Sequence, residues 1–328
     1  TCPPTNVGGQ VAPPYIRPCG RQLCAAGLPW HLYGASEYQS TSPAQTGVDN
    51  VAGTVALARE AKLNTLRVIN FYDSKKSPTT EPYNEARWAK VDAMVAAAGN
   101  AGMRVVLGLA DYRNILWNNC INPYTADWGQ FIAYVAARRN TVTGRTYGAD
   151  PTIALVSLAG EPLQVGTYNY AAKATGADCT ITYGTQDLTD FYTRTLAQWK
   201  AVGQVSVNTG GLGYLNFNSG IDWRTIFALP NNDVCDIKTY GGMLDYAPTV
   251  ASYCAGINKP WIDEEFGWQQ SDGDAARAAA FRHTLDVVRP AGCAGEAFWN
   301  MGNQEAATSY DIGRPTPLTL AAVQEGAV

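Results

Sequence analysis

The segment TIALVSLAGEP, residues 152–162, is an almost unbroken apolar run that ends in a glycine, an acid and a proline. An apolar run of this length without alternating polar positions is typical of a strand that is buried on both faces, as in a parallel sheet. Pro162 has no backbone N–H and cannot extend the ladder of hydrogen bonds. The segment therefore predicts a buried strand that carries Glu161 to the edge of a parallel sheet.

Short β-rich segments of this kind alternate with amphipathic stretches along the whole chain. We expect strands at 29–36, 64–71, 103–110, 152–159, 203–209, 234–240, 259–266 and 295–301. We expect helices at 48–62, 84–100, 126–140, 186–202, 222–229, 246–257, 274–289 and 317–324. Such alternation implies parallel strands joined by right-handed crossovers, and eight of each favours a closed (β/α)8 barrel over an open sheet. We assign 1–28 to a Pro/Gly-rich lead that packs on the barrel, and 29–328 to one α/β barrel domain.

Composition narrows the classes of function. Of the 328 residues, 46% are hydrophobic and 16% are charged, and the net charge is -4. The absence of a basic surface argues against nucleic acid as a partner, and no apolar run approaches the about 18 residues of a membrane span. The chain has two histidines and no nucleotide-binding glycine motif, so we expect neither a metal nor a cofactor. The glycine-rich stretch 208–220 is interpreted as a loop at the barrel mouth.

Eight cysteines are present, and none of them form CxxC pairs. An even number without metal-binding spacing indicates disulfides in a secreted, extracellular protein. We expect all eight to be oxidised in four bridges. Two pairings are predicted, Cys120–Cys179 between loops of the top face and Cys19–Cys24 as a short local bridge.

A cluster of acids ends the predicted seventh strand, in KPWIDEEFGW, residues 259–268. Side chains alternate along a strand, so Asp263 and Glu265 are expected on one face and Glu264 on the other. The chemistry of such barrels lies at the carboxyl ends of the strands, where Glu161 and Glu265 would face each other. Two facing carboxylates are what glycoside hydrolysis requires, although solvated surface acids are an alternative interpretation.

Four segments resemble the corresponding segments of β-mannanases in glycoside hydrolase family five. The resemblance runs in order from about Gly20 to Trp299, and its most specific part is TGRTYGADPTIALVSLAGEP. The four segments are NTLRVINF, YNEARWAKVDAMVAAAGNAGMRVVLGLADY, RRNTVTGRTYGADPTIALVSLAGEP and KPWIDEEFGW. The resemblance implies that Glu161 is the acid/base, that Glu265 is the nucleophile, that Arg67 keeps the nucleophile ionised, and that Trp299 forms the floor of the cleaved subsite.

Physical chemistry agrees with these implied roles. Arg67 beside Glu265 would lower the pKa of that carboxyl. Glu161, on an apolar strand and opposite a second carboxylate, would have a raised pKa and stay protonated. Taken alone, Arg67 could instead form a structural ion pair and Trp299 could belong to the core.

The chain departs from the family at several positions. Gly160 replaces the asparagine that would bond the sugar 2-hydroxyl, which predicts vacant volume there. Either the cleaved sugar differs at that position, or a water or loop residue replaces the amide. The usual histidines after strands three and six are missing, so Lys238, Tyr240 or Gly241 could take the strand-six place. His31 and His283 are interpreted as structural.

Further candidates for substrate binding lie on the loops of the same face or at positions matching the family. Ser36 and Glu37 replace the usual asparagines after strand one, and Trp117 is a further aromatic candidate. The other candidates are Tyr38, Asp111, Tyr112, Gly160, Tyr214, Lys238, Tyr240 and Trp268, beside Arg67 and Trp299.

The leading hypothesis is a secreted retaining glycoside hydrolase that cleaves β-linked polysaccharide, β-mannan first, by double displacement. A related enzyme for another glycan, such as a β-glucan or a furanoside polymer, is the first alternative. A catalytically inactive barrel that binds carbohydrate is the second. The expected partner is a polysaccharide or oligosaccharide, and we expect a monomer.

Overall fold

The computed structural model describes residues 12–41, 50–68, 72–215 and 218–328. Eight parallel strands form one sheet in which each strand pairs with its neighbours in the chain, and the first pairs with the eighth. Parallel bridges of Asn208 to Val234 and of Leu212 to Ile237 join the fifth strand region to the sixth and close the sheet. The strands are Leu32–Glu37, Thr65–Val68, Arg104–Gly108, Ile153–Ser157, Ser206–Asn208, Cys235–Lys238, Trp261–Glu265 and Gly295–Phe298. The predicted (β/α)8 barrel is confirmed.

Helices connect the successive strands. They are Val51–Glu60, Glu85–Asn100, Ala110–Asn118, Gly129–Ala137, Thr185–Val202, Trp223–Ala228, Met243–Gly256, Asp274–Val288 and Pro317–Glu325. Each of the eight predicted helices has a counterpart, and local chemistry explains some boundaries. The side chain of Asn84, for example, accepts hydrogen bonds from the backbone of Ala86 and Arg87 and so begins the second helix. The predicted positions 48–49 and 69–71 lie outside the described residues.

The lead forms a small antiparallel sheet of three strands, Ile16–Cys19, Gln22–Ala25 and Leu28–Trp30. The predicted strand 29–36 is therefore two strands, and the first barrel strand begins only at Leu32. Ile16 and Leu23 of the small sheet are fully buried in a cluster with apolar residues from the amino ends of the barrel strands. The sheet thus covers the bottom of the barrel, opposite the face where the strands end. The division at residue 28 stays a prediction.

A hairpin of two strands, Gly166–Ala171 and Asp178–Tyr183, follows the fourth barrel strand and was not predicted. The Cys120–Cys179 disulfide ties it to the end of the helix Ala110–Asn118. Tyr170 of the hairpin stacks on Trp117 with ring centroids 4.5 Å apart. Tyr168 also packs against this ring, so the hairpin holds Trp117 in a fixed position.

The cysteines are bridged only in part. Cys19–Cys24 and Cys120–Cys179 are disulfides, which confirms both predicted pairings. The expectation of four bridges is wrong, because Cys235, Cys254 and Cys293 are free and buried. They lie in the sixth barrel strand, in a packed helix and just before the eighth strand, where cysteine packs as a small apolar residue. Cys2 lies outside the described residues.

Candidate active site

Glu265, the last residue of the seventh strand, is held by two cations and a phenol. Its Oε2 accepts from Arg67 Nη1 at 2.8 Å and lies 2.7 Å from Lys238 Nζ. Its Oε1 accepts from the hydroxyl of Tyr240 at 2.8 Å. Burial by itself would raise the pKa of Glu265, but the charges of Lys238 and Arg67 outweigh it and lower the pKa to about 2. The predicted contact between Arg67 and Glu265 is confirmed.

Arg67 is itself fixed by a second carboxylate, Glu264, which accepts from Arg67 Nε at 3.1 Å. Glu264 also accepts from Ser157 and Asn208, and Ser36 accepts from Arg67 Nη1 at 3.0 Å. The expectation that Glu264 points away from Glu265 is therefore wrong. The ladder between the sixth and seventh strands shifts register at Ile237/Lys238, and this irregularity interrupts simple alternation at the strand ends.

Glu161 reaches the same place from the fourth strand, which ends at Ser157. Its φ is 51°, its backbone N–H donates to Gly211 O at 2.9 Å, and Arg113 donates to the carbonyls of Gly160 and Glu161. The side chain is 41% exposed, so the expected apolar setting of this carboxyl is not found. Hydrogen bonds from Arg113 and to Gly211 thus fix the backbone at Glu161, while its carboxyl group is exposed to solvent.

Lys238 joins the two carboxylates. Its Nζ lies 3.5 Å from Glu161 Oε2 and 2.7 Å from Glu265 Oε2. These two oxygens can be no further apart than the sum of those distances. Retaining glycosidases separate their two carboxyl groups by about 5–5.5 Å and inverting ones by about 6.5–9.5 Å, and a retaining separation of Glu161 and Glu265 stays a prediction.

Gly160 does not leave a vacant volume, contrary to the sequence prediction. A Cβ at this position would lie 1.8 Å from the carbonyl oxygen of Gly210. The backbone of Gly210 and Gly211, with φ values of 107° and 91°, fills the space, and both amides donate to Asp236. Burial and the neighbouring Glu264 raise the pKa of Asp236. An asparagine at 160 would collide with backbone whatever the substrate, so that substitution cannot report on the sugar.

Two aromatic side chains that the sequence proposed for the cleft contact each other. Tyr38 and Trp299 stack with ring centroids 5.3 Å apart and planes within 3°. Both are half-buried, and the peptide bond from Trp299 to Asn300 is cis. Trp299 is therefore not a core residue, although Tyr38 covers one of its faces.

A cavity of about 220 Å³ opens beside Glu161. Tyr214, 40% exposed, contributes to its wall, as the sequence suggested. Its other lining residues are Arg113, Asn114, Trp117, Tyr124 and Leu163. Arg113 was missed because its helix was not predicted, yet DYRN directly follows the third strand, where the barrel rule places functional residues.

Three predicted cleft residues serve the scaffold instead. The Glu37 carboxylate is fully buried and accepts from the backbone and hydroxyl of Ser40, so it caps a local turn. Asp111 is buried and accepts from the backbone of Tyr72, so it joins two connections, and burial raises its pKa to about 6. The position of a carboxylate at a strand end does not by itself distinguish these roles from ligand binding.

The third, Tyr112, is buried, with its ring stacked 4.0 Å from that of Phe131 in the core. Trp268 is half-buried and packs edge-on against Phe266 with ring centroids 5.9 Å apart, and its place in the cleft stays a prediction. His31, at 2.8 Å from Glu296, forms a structural contact near the amino end of the barrel, and His283 is exposed on a helix.

Neither a metal site nor a membrane-spanning helix is found within the described ranges. No group of three or more His, Cys, Asp or Glu side chains there is arranged to hold a metal ion. None of the helices in these ranges combines the length and the apolar character that crossing a membrane requires.

No family model matches the chain. A protein of Oryza sativa subsp. japonica named mannan endo-1,4-beta-mannosidase 8 is 30% identical over 169 residues, which cover 44% of this chain and 45% of that protein. Mannan endo-1,4-beta-mannosidase 7 of the same plant is 30% identical over 167 residues and covers 44% of each. In these matches the chain spans less than half the length of its relatives.

A solved structure extends the likeness. The endo-1,4-beta-mannanase from Rhizomucor miehei superposes with a TM-score of 0.76 at 20% identity, covering 95% of this chain and 98% of that chain. The chain resembles mannanases. The two 30% identical relatives cover part of its length and the solved structure covers nearly all of it, and at 20% identity the structural match shows the barrel alone.

Proposed function

We propose that the protein is a retaining glycoside hydrolase that cleaves β-linked polysaccharide of the mannan type. The observation that carries the proposal is the pair of carboxylates joined by Lys238: a buried, ionised Glu265 and a half-exposed Glu161. A buried carboxylate that stays ionised is suited to act as a nucleophile, and an open carboxyl beside it can exchange protons with substrate and water.

The proposed steps are based on these contacts. Glu265 Oε2 is occupied by two cations, whereas within the described part of the chain Oε1 accepts from the Tyr240 hydroxyl alone, so we assign the attack on the anomeric carbon to Oε1. Glu161 gives its proton to the leaving glycosidic oxygen as the bond from the anomeric carbon to that oxygen breaks. Glu161, now a carboxylate, then removes a proton from water, which attacks the anomeric carbon and releases Glu265. The anomeric carbon is inverted twice, so its configuration is retained.

The choice of β-mannan rests on the names of the sequence relatives and of the structural neighbour. A β-glucan or a furanoside polymer stays the alternative substrate, because the residues near the anomeric carbon differ from those of the family. The two disulfides support secretion, since such bridges persist in oxidising compartments. The monomeric state stays a prediction.

A panel of polysaccharides, with the products separated by size, tests the proposal. We expect release of mannooligosaccharides from β-mannan by the wild type. Glu265→Ala should abolish turnover, and azide should restore part of the rate on an activated aryl glycoside by replacing the missing nucleophile. Glu161→Ala should lose far more activity on polysaccharide than on the activated aryl glycoside, which needs little protonation.

Two outcomes contradict the proposal. If Glu265→Ala and Glu161→Ala both cleave polysaccharide at the wild-type rate, Glu265 is not the nucleophile and Glu161 is not the acid/base. Binding of a polysaccharide without any cleavage by the wild type would favour the inactive carbohydrate-binding barrel.

A further inference from the structure

The turn formed by Gly210 and Gly211 packs against Lys238 and also fills the space that an amide side chain at position 160 would occupy. A Cβ at Gly211 would lie 2.9 Å from both Cγ and Cε of Lys238, so the lysine stem passes directly against this glycine. The adjacent Gly210 carbonyl occupies the space beside Gly160. The same turn therefore requires glycine at position 160 and positions the side chain of Lys238.

The position of the ammonium relative to the reacting carbon follows from its contacts. Oε1 of Glu265 faces the anomeric carbon in the proposed mechanism, and Oε2 lies beside it on the same carboxyl. The 2-hydroxyl is borne by the carbon next to the anomeric carbon, and distortion of the ring towards the transition state turns the axial 2-hydroxyl of a mannoside away from the leaving group and towards Oε2. Lys238 Nζ is 2.7 Å from Oε2 and thus within reach of the same hydroxyl.

Among the described residues, the other donor groups at this place have partners of their own. Arg67 Nε donates to Glu264, its Nη1 to both Ser36 and Glu265, and its Nη2 to the Gly210 carbonyl oxygen at 3.5 Å. The Gly210 carbonyl can only accept. An ammonium carries three N–H donors, and the 3.5 Å contact of Lys238 with Glu161 is a loose one that a hydroxyl can replace.

We propose that Lys238 donates a hydrogen bond to the 2-hydroxyl of the sugar that is cleaved, in place of the side-chain amide that Gly160 lacks. The hydroxyl accepts from the ammonium and donates to Glu265 Oε2, so both bonds involve a charged group and are stronger than neutral ones. Bonds to this hydroxyl strengthen in the transition state. The inference rests on the proposed glycoside hydrolase function and adds to it the residue that recognises the second carbon.

The test combines deletion of the lysine with deletion of the hydroxyl. The substrates are a 2,4-dinitrophenyl β-mannobioside and its counterpart in which the cleaved mannose is 2-deoxy. The enzymes are the wild type, Lys238→Met, Lys238→Arg and, as a control, Lys90→Met on the helix Glu85–Asn100. The activated leaving group keeps the rates of weak variants measurable. The readout is the ratio of kcat/KM for the two substrates within each enzyme, which cancels any general effect of the variant on Glu265.

We expect loss of the hydroxyl to lower kcat/KM roughly a hundredfold in the wild type and in Lys90→Met, but less than about tenfold in Lys238→Met. Lys238→Arg, which keeps the charge and the donors, should retain most of the wild-type sensitivity. Equal sensitivity in the wild type and Lys238→Met would overturn the inference while leaving the hydrolase assignment intact. A wild type that cleaves no glycoside at all would overturn both.

Discussion

The ionisation of Glu265 depends on two cations rather than on exposure to water. Burial opposes the charged form of this carboxylate, and the contacts with Lys238 and Arg67 reverse that effect. The sequence identified Glu265 and Arg67 through the family resemblance. It left Lys238 as one of three choices, because a one-residue shift in strand register decides which side chain reaches the site.

The low pKa of Glu265 links stability to pH. Its folded pKa of about 2 is below the ordinary value of 4.5, so the stabilisation is present above about pH 4.5 and is lost as the pH falls towards 2. Between these two pH values, the contribution of Glu265 to the free energy of unfolding changes by about 3 kcal/mol. Urea unfolding of the wild type and of Glu265→Gln at pH 7 and pH 3 measures it. The stability advantage of the wild type should shrink by about 2 kcal/mol at the lower pH, and a constant difference would contradict the account.

The backbone of Gly210 lies so close to position 160 that this position requires glycine. Gly160→Ala places a methyl group against the Gly210 carbonyl, and backbone cannot move aside as a flexible side chain can. We expect this variant to lower the free energy of unfolding by at least about 3 kcal/mol. Gly256→Ala is the matched control, because nothing lies within 4 Å of its added Cβ and alanine is the better helix former. Equal stability of the two variants in chemical denaturation would show that the turn does not press on Gly160.

The barrel strands and most helices could be predicted from the sequence, whereas the helix and the hairpin beside the cleft could not. The helix Ala110–Asn118 begins after Leu109, whose side chain caps no backbone N–H, and the hairpin after Glu161 lies within a long connection without a tight turn signal. What the sequence did supply was the Cys120–Cys179 pairing, since both cysteines fall on connections of the top face. Strand periodicity specifies which segments pair, but not how long connections fold over the mouth.

The Cys120–Cys179 bridge joins residues 59 apart in sequence, and Cys19–Cys24 joins residues 5 apart. In the loop-closure account the longer loop gives the larger stabilisation, about 4 kcal/mol against about 2 kcal/mol. Removing each bridge by a pair of Cys→Ser substitutions and measuring unfolding at equilibrium tests this order. Loss of the long bridge should also weaken polysaccharide binding, because the hairpin packs against Trp117, which lines the cavity beside Glu161, whereas loss of the short one at the barrel bottom should not. The opposite order would contradict the placement.

At the scale of the whole molecule, barrel closure assembles the candidate site. Arg67, Glu161, Lys238 and Glu265 come from the second, fourth, sixth and seventh strands or the residues that follow them, and no two of them are neighbours in sequence. The rule that function lies at the carboxyl ends of barrel strands was enough to place the two acids together. It was not enough to separate ligand-facing side chains from those, such as Glu37 and Tyr112, that fold back into the scaffold. That choice depends on loop packing, which leaves little periodic signal.

The proposed double displacement by Glu265 and Glu161 fixes the stereochemistry of the product. This is tested by the anomeric configuration of the sugar released from a β-mannooligosaccharide, followed by proton NMR in the first minutes before mutarotation. We expect the β-anomer to appear first and the α-anomer only later, as the sugar equilibrates in water. Initial release of the α-anomer would contradict it, because a single displacement would then have occurred and Glu265 would not be the nucleophile.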